Sequence, residues 1–66
     1  MKIEVNGQIE NVKDGISIKE FLETKGINFN VVACELNLEI IKRAKLGETF
    51  LKAGDKLEIL RMIGGG

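Results

Sequence analysis

The residues able to do chemistry are few. Cys34 is the only cysteine and there is no histidine, so the thiol lacks the imidazole base that activates a cysteine nucleophile. Cys34 alternates with Val32 and Leu36 in "VVACELN", the pattern of a buried strand face, where a thiol is inert. No set of Cys and His has zinc-ligand spacing, and no metal ligands are expected. Glu35 and Glu39 lie close enough to approach each other across a hairpin. Acid–base work would need perturbed pKa values in a cleft, and carboxylates at a turn read as surface charges. The remaining candidate is the segment "RMIGGG".

Gly64, Gly65 and Gly66 carry no Cβ, so such a run threads a channel too narrow for any other residue. It lacks the strand, lysine and helix that surround a phosphate-binding loop. What it offers is the α-carboxylate of Gly66. With a pKa of about 3.5 that group is ionised near neutrality and is a poor acyl donor. Converted to a mixed anhydride with AMP, it becomes one, and a nucleophile then displaces AMP. All catalytic groups for such a reaction sit on a partner. The chain supplies the acyl group and a docking face, so the expectation is a protein co-substrate and not an enzyme. A glycine run is equally what a disordered end looks like, and composition alone leaves that alternative open.

The rest of the chain bounds these readings. Its 66 residues are 44% hydrophobic and 30% charged. A chain of this size buries only about 60% of its unfolded surface, which leaves little material for a deep cleft as well as a core. Lys plus Arg is 10 and Asp plus Glu is 10, for a formal net charge of zero. Phosphate neutralisation needs clustered Lys and Arg. The one basic cluster, Lys42, Arg43 and Lys45, is flanked by Glu39 and Glu48, and there is no Trp or Tyr to stack bases. Nucleic acid is therefore not an expected partner. No apolar run approaches a membrane span, and "MKIEVNG" alternates charged and apolar residues, unlike a signal peptide. A lone cysteine fits a reducing cytoplasm.

The elements that must position the end of the chain are legible. "MKIEVNGQIENVK" predicts a β-hairpin about Asn6-Gly7, since both residues tolerate the positive φ of a type I′ turn. Val5 then opposes Gln8, Ile3 opposes Glu10, and Ile9 falls on the other face. "DGISIKEFLETKG" predicts a helix. Ser17 and Glu20 form a capping box, Ile18, Phe21 and Leu22 form an apolar stripe, and Gly26 closes the helix. "VVACELN" and "EII" are predicted strands, "KAGD" is a turn, and "KLEILRMI" is the last strand. The stretch 42–51 reads as a turn or short helix over an edge. Leu60, Met62 and Ile63 break the alternation of the last strand, which marks a strand that is central or exposed to a partner. Leu60, Met62 and Ile9 are accordingly candidates for a partner face. Hairpin, helix, strands and final strand, with the final strand filling the gap between the first strand and the third, describe a β-grasp. The expectation is an α+β domain over residues 1–63, with a mixed four- to five-stranded sheet and one helix on one face. A flexible glycine tail over 64–66 follows it.

The sequence resembles the ThiS family, the ubiquitin-like sulfur carriers related to MoaD. The resemblance runs the full length: Ile3, Val5, Asn6 and Gly7 at the start, "SIKEFLE", "VVACELNLEIIKR", Gly54 to Ile59, and the terminal "IGGG". Its most specific parts are the glycines and Asn37-x-Glu39-Ile40-x-x-Arg43. The family often has Gly and Pro where this chain has Leu38 and Lys42. The resemblance implies that Gly66 is adenylated by an E1-like enzyme of ThiF type that uses ATP. Sulfur then replaces AMP to give a thiocarboxylate, and a thiazole synthase of ThiG type takes that sulfur for thiamine thiazole formation. It implies no bound cofactor on this chain. Sulfur carriage in another pathway, such as molybdopterin formation or tRNA thiolation, and ubiquitin-like protein modification are the alternatives. A plain β-grasp interaction domain is the remaining one.

Overall fold

The computed structural model describes residues 1–62. The expected boundary between residues 63 and 64, and the three glycines themselves, lie outside them. The chain forms β1 (Lys2–Val5), β2 (Gln8–Asn11), α1 (Ile18–Thr24), β3 (Val32–Leu36), β4 (Glu39–Ile41) and β5 (Lys56–Arg61). Two 3₁₀ segments, Phe29–Val31 and Arg43–Glu48, flank β3 and β4. The sheet order is β2-β1-β5-β3-β4. β5 runs parallel to β1 and antiparallel to β3, so the last strand fills the central gap, as the element order demands. This is the β-grasp arrangement, with five strands.

Each element follows from local chemistry. Asn6 and Gly7 take φ of 49° and 83°, the type I′ turn whose twist matches the flanking strands. The register is Val5 opposite Gln8 and Ile3 opposite Glu10. At the start of α1, Ser17 Oγ accepts the Glu20 N–H at 3.0 Å. The reciprocal half of the expected capping box is replaced: the Glu20 carboxylate takes Lys13 Nζ at 2.8 Å, because a full charge from the preceding loop competes with a backbone amide. The helix ends in a Schellman motif. Ile27 N–H donates to Leu22 O at 2.9 Å and Gly26 N–H to Glu23 O at 3.1 Å, with Gly26 at φ 69°.

Helix and sheet meet over Ile3, Val5, Ile18, Phe21, Leu22, Val32, Cys34 and Leu57, all buried. Burial of an aliphatic or Phe side chain stabilises by about 1.5–3 kcal/mol, and a helix of two turns persists only through such packing. The stretch 42–51, which carries no clear periodicity, supplies two further core residues, Leu46 and Leu51. Leu51 N–H donates to Ile16 O and Ile18 N–H to Thr49 O, each at 2.9 Å. Those two bonds tie the loop to the entry of α1. Residue 31, expected within the third strand, belongs instead to a 3₁₀ turn.

The β3–β4 turn carries strain. Asn37 and Leu38 have φ of 52° and 73°, a second type I′ turn with leucine where glycine is unstrained. The left-handed conformation costs an L-residue roughly 1–2 kcal/mol, and the Leu38 side chain is 91% exposed, so no burial offsets it. Glycine's greater freedom in the unfolded chain returns about 0.5–1 kcal/mol. Leu38→Gly is therefore expected to stabilise by about 0.5–1 kcal/mol, a rise in Tm of roughly 2–8 °C, measured by thermal unfolding.

Candidate partner face and strand end

Strand alternation gives the sheet two unlike faces. One packs on α1. On the other, Ile9 of β2 lies opposite Glu4 of β1, Leu60 of β5 opposite Ala33 of β3, and Glu58 opposite Glu35. Glu35 in turn opposes Ile40 of β4. Ile9 is 64% exposed, Ile40 70%, and Leu60 and Met62 each 49%. The open face is thus a band of carboxylates, Glu4, Glu35 and Glu58, with apolar side chains at its margins. The three residues singled out by broken alternation are brought to one surface only in part. Ile9 stands on the outer strand β2, two strands away from Leu60 on β5. Met62 follows β5 with the parity of Leu60, its N–H donating to Val31 O at 2.8 Å.

Ile40 escaped sequence reasoning. Its signal was the pair Ile40-Ile41 in a three-residue strand, where one of two adjacent isoleucines must face outward. The carboxylate pair suspected across the β3–β4 hairpin does not form, because Glu35 and Glu39 fall on opposite faces. Glu35 meets Glu58 of β5 instead, a juxtaposition that needs the strand order to be seen.

Cys34 is 1% exposed in the core, and burial in apolar surroundings pushes its thiol pKa up. A thiol held protonated is neither nucleophile nor ligand. Among the described residues no three His, Cys, Asp or Glu are grouped to hold a metal ion. The Lys42, Arg43 and Lys45 cluster is exposed, with Arg43 Nη2 donating to Asn30 O at 3.3 Å and Lys45 Nζ 3.9 Å from Glu48. No helix among the described residues is long and apolar enough to cross a membrane.

What the geometry presents is a face and a central strand. β5 lies in the middle of the sheet, and in the sequence Met62 and Ile63 separate it from Gly64–Gly66. The ThiS family model matches residues 2–66. The chain belongs to the ThiS family. The crystal structure of the thiamine biosynthesis protein ThiS from Geobacter metallireducens is similar over 100% of both chains, with a TM-score of 0.88 and 32% identity. Two proteins named thiazole synthase are also similar. That of Paramagnetospirillum magneticum is 36% identical over 66 residues, and that of Magnetococcus marinus is 33% identical over the same length. The ThiS-family chain spans about a fifth of the length of these curated relatives, 20% of each, while all of it is covered.

Proposed function

We propose that this ThiS-family chain is a cytoplasmic sulfur carrier whose Gly66 is the modified residue. Its carboxylate oxygen attacks the α-phosphate of ATP in the active site of an E1-like enzyme of ThiF type, and pyrophosphate leaves. Hydrosulfide then adds to the acyl carbon, expels AMP and loses its proton, which leaves a terminal thiocarboxylate. Gly64 and Gly65 thread the partner's channel. The thiocarboxylate gives its sulfur to thiazole formation by a ThiG-type synthase, a destination suggested by the likeness to the two thiazole synthases. ATP and the sulfur donor belong to the partner, and no catalytic step falls on this chain.

The observation that carries the reading is the placement of β5. β5, the last strand among the described residues, lies at the sheet's centre, paired with β1 as far as Leu57 and with β3 as far as Arg61, so the described residues lead towards the glycines from the middle of the sheet. Leu60, Met62 and Ile9, all exposed, are proposed to give the partner its grip. Leu60→Asp is expected to raise the KM of the chain for the adenylating enzyme about tenfold or more, with Tm nearly unchanged. A small Tm change is expected because the side chain already lies half in solvent.

Incubation with MgATP, the adenylating enzyme of the same genome and sulfide, followed by intact mass, tests the whole. Exchange of one oxygen for sulfur, localised to Gly66, is the expected result. A lysine-linked adduct instead would identify a protein modifier, and an unchanged mass would leave only an interaction domain.

A further inference from the structure

The two sides of β5 are held unequally, and the consequence of that asymmetry deepens the proposed function and rests on it. On its β3 side the strand is paired through Val32 opposite Arg61 and on to Met62 N–H, which donates to Val31 O. On its β1 side the backbone pairing is short. It consists of Glu4 opposite Lys56 and Val5 opposite Leu57, closed by Asn6 N–H donating to Leu57 O at 2.9 Å. There β1 turns away into the hairpin.

The Asn6 side chain continues where the backbone leaves. Its Oδ1 accepts the Ile59 N–H at 2.8 Å, and its Nδ2 donates to Ile59 O at 3.4 Å. A carboxamide offers the same donor and acceptor as a peptide group, so it forms one more rung of the parallel ladder. The positive φ of Asn6, which asparagine tolerates better than most residues, belongs to the same turn. Asn37 makes the matching clamp at the strand's other end. Its Oδ1 accepts Lys56 N–H at 2.9 Å, its own N–H donates to Lys56 O at 2.8 Å, and its Nδ2 donates to Asp55 Oδ1 at 3.1 Å.

The geometry points to Asn6 as a positioning residue for the acyl-bearing end: its carboxamide fixes Ile59, the last residue of β5 among those described that is held from both sides. Without it, Leu60 to Met62 pivot on β3 alone. A misplacement of about 1 Å at a reacting group costs on the order of 10²-fold in rate. Asn6 thus acts on turnover through the strand, while the partner face keeps its side chains.

The test compares Asn6→Gly with Asn37→Gly. Glycine accepts the positive φ at both places, so each variant loses little beyond its amide, one at the tail end of β5 and one at the far end. By NMR, Asn6→Gly is expected to speed amide exchange at Ile59 about tenfold and to leave Lys56 alone, and Asn37→Gly to do the reverse. In ATP–pyrophosphate exchange with the adenylating enzyme of the same genome, Asn6→Gly is expected to lower kcat about tenfold with KM within about twofold. Asn37→Gly is expected to change neither. Unaltered exchange at Ile59 in Asn6→Gly would overturn the inference. So would equal loss of kcat in both variants, or a change confined to KM. If the unaltered chain supported no pyrophosphate exchange, the proposed function would fall and the positioning role with it, while the NMR comparison would still decide whether Asn6 holds the strand end.

Discussion

A chain lacking Gly65 and Gly66 is expected to yield no thiocarboxylate and to support no pyrophosphate exchange, while unfolding at the temperature of the full chain. The two halves of that expectation rest on different observations. The stability half rests on the core: no residue after Leu57 is fully buried among the described residues, and only Ile59 packs against the core from later in β5. The buried cluster is complete within the described residues, and changes away from packing features shift stability by no more than about 0.5 kcal/mol. The activity half rests on the proposal that the reacting atom is the terminal carboxylate of Gly66. Shortening the arm by two residues withdraws that atom by up to about 7 Å, far beyond the near-attack distance of about 3–3.5 Å. Intact mass after incubation with MgATP, the adenylating enzyme and sulfide reads the activity half, and a thermal melt reads the stability half. Thiocarboxylate formed on the shortened chain would end the tail proposal.

The proposed division of labour between chain and partner fits what the fold keeps. Catalysis by positioned groups needs side chains held rigidly around a reacting centre. In this domain the rigid elements are used up in making one core: α1 covers one face, and the 3₁₀ segment Arg43–Glu48 gives Leu46 to the same cluster. The open face offers Glu35 and Glu58 directly opposed. Like charges across a strand pair destabilise a sheet slightly. Their presence among exposed Ile9, Ile40 and Leu60 is what a surface used for recognition rather than stability would carry. A cationic patch on a partner would relieve that repulsion on docking and add orientation.

The fold was legible because its signals are local. Asn6-Gly7, Ser17 and Gly26 each specify a backbone conformation by their own chemistry, and each does so in the structure. The central place of β5 was also legible, since a first strand and a third strand separated by a helix leave one gap for a last strand to fill. Leu46 and Leu51 were not, because 3₁₀ and loop segments have no period against which an apolar residue can be read as buried. The same holds for the site. Leu60 announced itself by breaking an alternation, whereas the Asn6 clamp on Ile59 joins residues far apart in sequence. Only the register of β1 against β5 brings those two residues together.

That register and the helix stripe imply a sharp contrast between two apolar residues. Leu22→Ala is expected to destabilise by about 2–5 kcal/mol, and Ile9→Ala by no more than about 0.5 kcal/mol. Leu22 is fully buried, on the stripe of α1 that holds the helix to the sheet, and its carbonyl also accepts the Ile27 N–H that closes the helix. Truncation leaves a cavity beneath a two-turn helix that has no independent stability. Total stability for 66 residues is roughly 3–10 kcal/mol by per-residue scaling. A loss at the upper end of the range leaves much of the chain unfolded at room temperature. Ile9 stands on an outer strand with most of its side chain in solvent, so its truncation removes little that folding had buried. Urea unfolding of the two variants beside the parent decides the matter: a large fall in midpoint for Leu22→Ala and almost none for Ile9→Ala. Similar losses for both would mean that Ile9 is packed in solution, and the open face of the sheet would no longer be free to receive a partner.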